Sequence, residues 1–223
     1  MSTVVSRPPP WDASAVMWDQ AATKLPAGPH GLDPALVARV QRERILDATA
    51  RAVADLGYQD VTVAKILDRA RISKLTFYEL FDNKEQAFLA AYDDAVAQAL
   101  RRVERACAAE ALAPPAQRLE AAVDALLGFL AEEPEVARLC VIEVLAAGPT
   151  GRQRRAATMD RLADLMAALL AEARPDRDLG PIAARALVGG AEEVLFTAIE
   201  RGESDLTALA AEIAATQLRL IDG

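Results

Sequence analysis

Between Val61 and Phe88 the chain reads VTVAKILDRARISKLTFYELFDNKEQAF, and this stretch limits the fold more than any other. Thr62 can cap one helix that ends near Ala70, and Ser73 a second that ends near Leu80. Isolated helices shorter than about 12 residues are marginal in water, so both segments must pack on something longer. Only Arg71 and Ile72 separate them. Helices joined by so tight a turn cross steeply, as in a helix-turn-helix. The longer partner lies upstream, where Asp33-Pro34 reads as a cap with Pro in the first turn. Ile45, Ala48, Thr49, Ala52, Val53 and Leu56 then recur at helical spacing, and Gly57 marks the stop. The expected shared core is Leu46, Val53, Ile66, Ile72, Phe77 and Phe81.

That packing leaves Lys74, Leu75, Thr76 and Tyr78 on the free side of the third helix. The major groove of DNA admits one helix and is read by the residues at its leading end. Phosphates need ammonium groups, hydroxyls and backbone N–H groups to fix the register. Thr62, Ser73, Lys74, Thr76, Tyr78 and Lys84 supply such donors. Leu75 cannot bond a base, so its expected use is an apolar contact with a thymine methyl. The same polar residues would also suit a merely solvated surface, and periodicity alone does not choose.

Charge bears on the choice. The 223 residues carry a net charge of −8, which argues against indiscriminate coating of nucleic acid. Residues 34–90, however, hold nine Lys/Arg against eight Asp/Glu, whereas residues 91–223 hold 14 against 22. The acidity is concentrated away from the segment that would meet phosphate.

The rest of the chain reads as helix. After Asp82-Asn83, Phe88, Ala91, Tyr92, Ala95, Val96, Ala99 and Val103 share one face of a long helix. Pro-, Gly- and Asp-rich separators then divide five more helices, expected near 116–132, 135–146, 152–173, 181–200 and 205–220. No stretch alternates long enough for a strand, so the expectation is an all-α fold of about nine helices. Three regions follow: an extended N-terminal arm over 1–33, a helix-turn-helix unit over 34–90, and a helical unit over 91–223. The arm is Pro-rich and holds Trp11, Trp18, Arg7, Lys24 and the single histidine, His30. It could dock on a neighbouring surface, stay mobile, or touch DNA or a partner.

Cys107 and Cys140 are too few for a disulfide framework or a zinc site, and Cys140 reads as a small buried hydrophobe. No nucleophile with a base, metal cluster or phosphate-cradling loop is evident. The expectation is therefore no catalytic residues, no metal and no cofactor. With no apolar run near the 20 residues that span a bilayer and no secretory signal, a cytoplasmic protein without membrane contact is expected.

Residues 42–92, RERILDATARAVADLGYQDVTVAKILDRARISKLTFYELFDNKEQAFLAAY, resemble the DNA-binding domain of the TetR family of transcriptional regulators. The shared marks are Ile45-Leu46 with Ala48, Gly57-Tyr58, Thr62-Val63 with Ile66, and Ile72-Ser73. They continue through Thr76-Phe77-Tyr78, Phe81, Asn83-Lys84-Glu85 and Phe88-Leu89. The sequence departs from the family at Arg71, where Gly is usual in the turn, and at Leu75, where a small residue is frequent. Arg71 must adopt a conformation that Gly takes more cheaply, at a cost of about 1 kcal/mol.

The resemblance implies a homodimer that binds a palindromic double-stranded operator, usually as a repressor, and is released by a small-molecule effector. It also implies a dimer interface built from the last two helices. Leu187, Ala191, Val194, Leu195 and Ala198 make one stripe there, and Leu209 and Ile213 belong to the other. Close helix approach across that interface would account for Gly189-Gly190; a structural core is the competing reading of both stripes. An apolar or amphipathic ligand is expected near Leu126, Leu130 and Met166, with Glu143 either orienting it or else facing solvent or engaged in a salt bridge. The alternative to a regulator is a helical binding or interaction module that has lost specific DNA recognition.

Overall fold

The computed structural model describes residues 33–173, 175–176, 180–203 and 205–222; the expected N-terminal arm, with Trp11, Trp18 and His30, lies outside them. The described residues are helical and contain no strand. The first four helices are α1 (Pro34–Leu56), α2 (Val63–Ala70), α3 (Lys74–Leu80) and α4 (Lys84–Ala109). Next come α5 (Pro115–Glu132) and α6 (Pro134–Arg138). A π-helical turn, Leu139–Glu143, then carries α6 without a break into α7 (Val144–Ala146). The chain closes with α8 (Gly148–Ala173), α9 (Gly180–Glu200) and α10 (Ala208–Asp222). With Pro134 to Ala146 taken as one rod, nine rods are present among the described residues, as expected.

Each early helix begins on a side chain that satisfies an orphan N–H. Asp33 Oδ1 accepts from Ala35 N at 3.0 Å, and Thr62 Oγ1 accepts from Lys65 N at 3.4 Å. Ser73 Oγ accepts from Thr76 N at 3.0 Å. Asn83 Oδ1 accepts from Gln86 N at 2.9 Å, while the Gln86 side chain reaches back to Asp82 N. The last pair is a reciprocal cap that fixes where α4 leaves the helix-turn-helix.

In the turn, Arg71 sits at φ 53°, ψ 47°, the single non-glycine residue at positive φ among those described. Its strain is held by a neighbour: Arg44 Nη2, on α1, donates to the carbonyls of Ala70 and Arg71. A guanidinium at the carbonyl end of α2 also meets the negative end of that helix's dipole.

Three apolar clusters organise the molecule. The first joins α1–α4 around Ile45, Val53, Ile66, Phe77, Phe81 and Phe88, all buried. Ile72 is half-buried against it. Leu139, Val144 and Ala147 belong to the same cluster, so the Pro134–Ala147 region packs directly on the helix-turn-helix. The other two clusters lie between α4, α5, α8, α9 and α10.

The helix expected from about 152 begins four residues earlier. Pro149 is tolerated in the first turn, where its missing N–H costs nothing. Gly151 makes the corner between α7 and α8 possible. A Cβ there would stand 2.5 Å from the Val144 carbonyl oxygen and 2.9 Å from Ala147 Cβ. Gly→Ala in an open helix gains about 1 kcal/mol. At this corner, overpacking at about 1–3 kcal/mol opposes that gain. Gly151→Ala is expected to lower the urea midpoint, measured by circular dichroism.

Candidate DNA-binding surface and effector cavity

The third helix presents a mixed surface. Leu75 is 71% exposed and Tyr78 46% exposed, large apolar areas for so small a helix. Lys74 Nζ lies 5.8 Å from the centre of the Tyr78 ring, and Thr76 Oγ1 is 2.9 Å from Ser73 Oγ. Lys74, Leu75, Thr76 and Tyr78 are therefore brought together on one short helix, beside Ser73. Thr62 stands apart as the cap of α2, its neighbour Lys65 donating to Asp60 O at 3.0 Å.

Lys84 is differently employed from a bare phosphate donor. Its Nζ donates to the carbonyls of Tyr58 at 2.9 Å and Gln59 at 3.3 Å, and lies 4.5 Å from the Tyr58 ring centre. Two of its three N–H groups are thus directed at the chain itself, leaving one for an outside partner. Tyr58 in turn sits edge-on to Phe88 at 4.8 Å. Lys84 holds the α1–α2 loop against the start of α4. Arg42 and Arg44 on α1 were not singled out from the sequence; Arg42 stacks over Phe81 at 5.7 Å. Nothing in helical periodicity distinguishes such cations from solvated ones.

Away from this surface, a cavity of about 160 Å³ opens between α4, α5, α8, α9 and α10. Leu126, Leu130 and Met166 line it, with Val103, Leu119 and Leu169 among many other apolar side chains. Polar groups are few. Tyr92 Oη donates to Thr158 Oγ1 at 2.9 Å, and Arg155 forms a two-point pair with Glu192 across α8 and α9. Burial pushes the Tyr92 phenol up to about 12, against the smaller opposing effect of its Thr158 bond. Burial likewise pushes the Cys140 thiol up to about 12. Both stay neutral at ordinary pH, so the cationic group on the wall is Arg155.

Glu143 does not line this cavity. It is 6% exposed and turned the other way, accepting from Tyr58 N at 2.8 Å and pairing with Arg138 at 3.3 Å. The salt-bridged reading replaces the ligand-orienting one. A buried carboxylate needs charged or N–H partners, and the π turn points this one at the α1–α2 loop. Gln59 Nε2 adds a second tie, to Ala146 O at 2.9 Å. The same π turn presents Cys140 and Val141 to the cavity. One short segment thus touches both the cavity and the helix-turn-helix.

The expected dimer stripe is also corrected in part. Leu195, Ala198 and Ile213 are buried within their own chain, and Leu187, Ala191 and Leu209 are half-buried against its clusters. Val194 is 44% exposed and Ile182 83% exposed. Helix α9 is apolar on two faces, and spacing cannot tell which one meets the chain's own core. The outer face carries Ile182, Ala186, Gly190 and Val194. A Cβ at Gly189 or Gly190 would meet nothing within 4 Å, so no contact inside the chain requires either glycine.

Residues 45–91 match the family model for bacterial regulatory proteins, tetR family. The fold resembles the fatty acid degradation regulator FadR from Bacillus halodurans at TM-score 0.72 and 21% identity, over 85% of this chain and 97% of that one. It also resembles FadR from Bacillus subtilis, solved in complex with stearoyl-CoA, at TM-score 0.70 and 22% identity, over 78% and 96%. A TetR-like regulator from Rhodococcus sp. RHA1 aligns at TM-score 0.64 and 26% identity, over 82% and 97%. No curated protein matches the chain.

The Glu143 bond generates a test. Glu143→Leu fills the space but leaves the Tyr58 N–H buried without an acceptor, at a cost of about 1–3 kcal/mol. A urea titration is expected to show a midpoint lowered accordingly, with Glu143→Gln losing less. A midpoint equal to that of the parent protein would show that the bond contributes nothing.

Proposed function

We propose that the chain is a TetR-family transcriptional regulator that binds a palindromic operator as a homodimer, represses there, and is released by an amphipathic acyl ligand. In this reading residues 34–90 form the DNA-binding unit, and residues 91–223 the effector and dimerisation unit. The protein acts on DNA in the cytoplasm. Lys74, Leu75, Thr76 and Tyr78 enter the major groove, while Thr62, Ser73 and the remaining donor of Lys84 meet phosphates.

One observation carries the effector half: the apolar cavity and the helix-turn-helix core share α4 and the π turn. A ligand that widens the cavity beside Cys140 and Val141 works directly against the segment that grips Tyr58. The acyl assignment is supported by the long apolar lining, by Arg155 as the wall's cationic group, and by the stearoyl-CoA held in the Bacillus subtilis neighbour. An anionic head group would compete with Glu192 for Arg155, and the chain would lie along α4 and α8.

Linkage makes this testable. Each 1.4 kcal/mol by which the ligand prefers the non-binding spacing weakens operator binding tenfold, and the operator must weaken ligand binding by the same factor. Calorimetric titration of stearate, whose carboxylate can pair with Arg155, into the protein, with and without its own promoter fragment, is expected to show that loss. Equal affinity in the two titrations would exclude regulation through the cavity.

The dimer is tested at Gly190. Alanine there meets open space within the chain and gains about 1 kcal/mol of helix propensity, so the folded chain should melt higher. Across a close helix interface the added methyl forces the partners apart. Gly190→Ala is therefore expected to shift sedimentation toward monomer, while raising the melting temperature at dilutions where both proteins are monomeric. A dimer of undiminished affinity would move the interface elsewhere.

A further inference from the structure

One acceptor in the cavity wall is left unsatisfied by its own chain. Gln217, on α10, is 5% exposed and lines the cavity. Its Nε2 donates to Leu187 O at 3.3 Å, and its Oε1 is buried with no partner among the described residues. The amide cannot be turned round. Oε1 against the Leu187 carbonyl would set two acceptors face to face and strand both N–H groups. The other polar side chains of the wall, Tyr92, Thr158, Arg155 and Glu192, are each bonded within the chain.

A leucine of similar volume would close this part of the wall without a buried polar atom. Glutamine instead buries an acceptor beside an apolar chamber, where a ligand or a trapped water that reaches it can meet it. We propose that Gln217 Oε1 accepts a hydrogen bond from the effector, which is therefore an acyl chain bearing a hydroxyl along its length rather than a plain alkyl chain. The inference rests on the acyl reading above, with the head group at Arg155.

The backbone of α9 supplies a scale for the position of the hydroxyl. Glu192, bonded to Arg155, and Leu187, whose carbonyl holds the Gln217 amide, are five residues apart. That is about 7.5 Å along a helix axis at 1.5 Å per residue. An extended carbon chain with bonds of about 1.5 Å advances about 1.3 Å per carbon. The donor falls about six carbons from the head group.

The experiment titrates stearate, 6-hydroxystearate and 12-hydroxystearate into the full-length protein and its Gln217→Leu and Gln217→Met variants, by calorimetry. The parent protein is expected to bind 6-hydroxystearate about tenfold more tightly than stearate, a difference of 1.4 kcal/mol. A hydroxyl at carbon 12 is expected to gain nothing. Both variants should lose the preference while binding stearate at least as well, and should melt higher without ligand because a stranded acceptor is gone. Equal affinity of the parent for stearate and 6-hydroxystearate, or a preference that survives in the variants, overturns the role of Gln217 and leaves the acyl reading standing. A gain for the carbon-12 hydroxyl alone overturns the placement of the head group. Binding of none of the three overturns the acyl reading itself, and this inference with it.

Discussion

A buried carboxylate ties the two halves of this molecule together. Glu143 reaches from the π turn to the Tyr58 N–H, with Arg138 balancing its charge. Removing a charge from water costs several kcal/mol unless bonds replace the lost hydration, so such a group is stable only where its partners are fixed. The partners are fixed here by packing. Tyr58 is wedged between Phe88 and the Lys84 ammonium, and its carbonyl accepts from that same ammonium. The start of α4, the α1–α2 loop and the π turn therefore form one bonded corner, which sets how the helix-turn-helix sits on the rest of the chain.

The apolar cavity abuts that corner from the other side. Its lining is almost entirely apolar, so a ligand gains from burial at roughly 25 cal/mol per Å² but finds little to orient it. Orientation falls to the few polar groups. Because burial keeps Tyr92 and Cys140 neutral, neither would repel an anionic head group, and Glu192 would be its competitor for Arg155. An apolar chamber with one ion pair in its wall selects for amphipathic shape before it selects for chemistry.

How far the sequence reveals this differs from element to element. Asp33, Thr62, Ser73 and Asn83 announce their helices because capping is a local bond between residues two or three apart. The helix-turn-helix core is legible for the same reason: Phe77 and Ile66 recur at spacings that only one packing satisfies. Glu143 is not legible, because its partner Tyr58 is 85 residues away and nothing near 143 signals a loop amide. The inner and outer faces of α9 could not be told apart, since Leu195 and Val194 are adjacent and equally apolar. Nothing near Gln217 in the sequence marks it out. Its unmet carbonyl becomes visible only when the walls around it are in place.

The π turn at Leu139–Glu143 has a geometric consequence of its own. A π turn closes its hydrogen bonds five residues back rather than four, so it stores one residue more than the α-helix on either side. Releasing that residue would advance the helix beyond it by one step, about 100° of rotation at 3.6 residues per turn and about 1.5 Å of travel. A displacement no larger than a methyl group at Cys140 or Val141 would then reach Glu143 as a swing of the side chain from one face of the rod to another. The segment is built like a gear tooth, in which the smallest stable movement is a whole step.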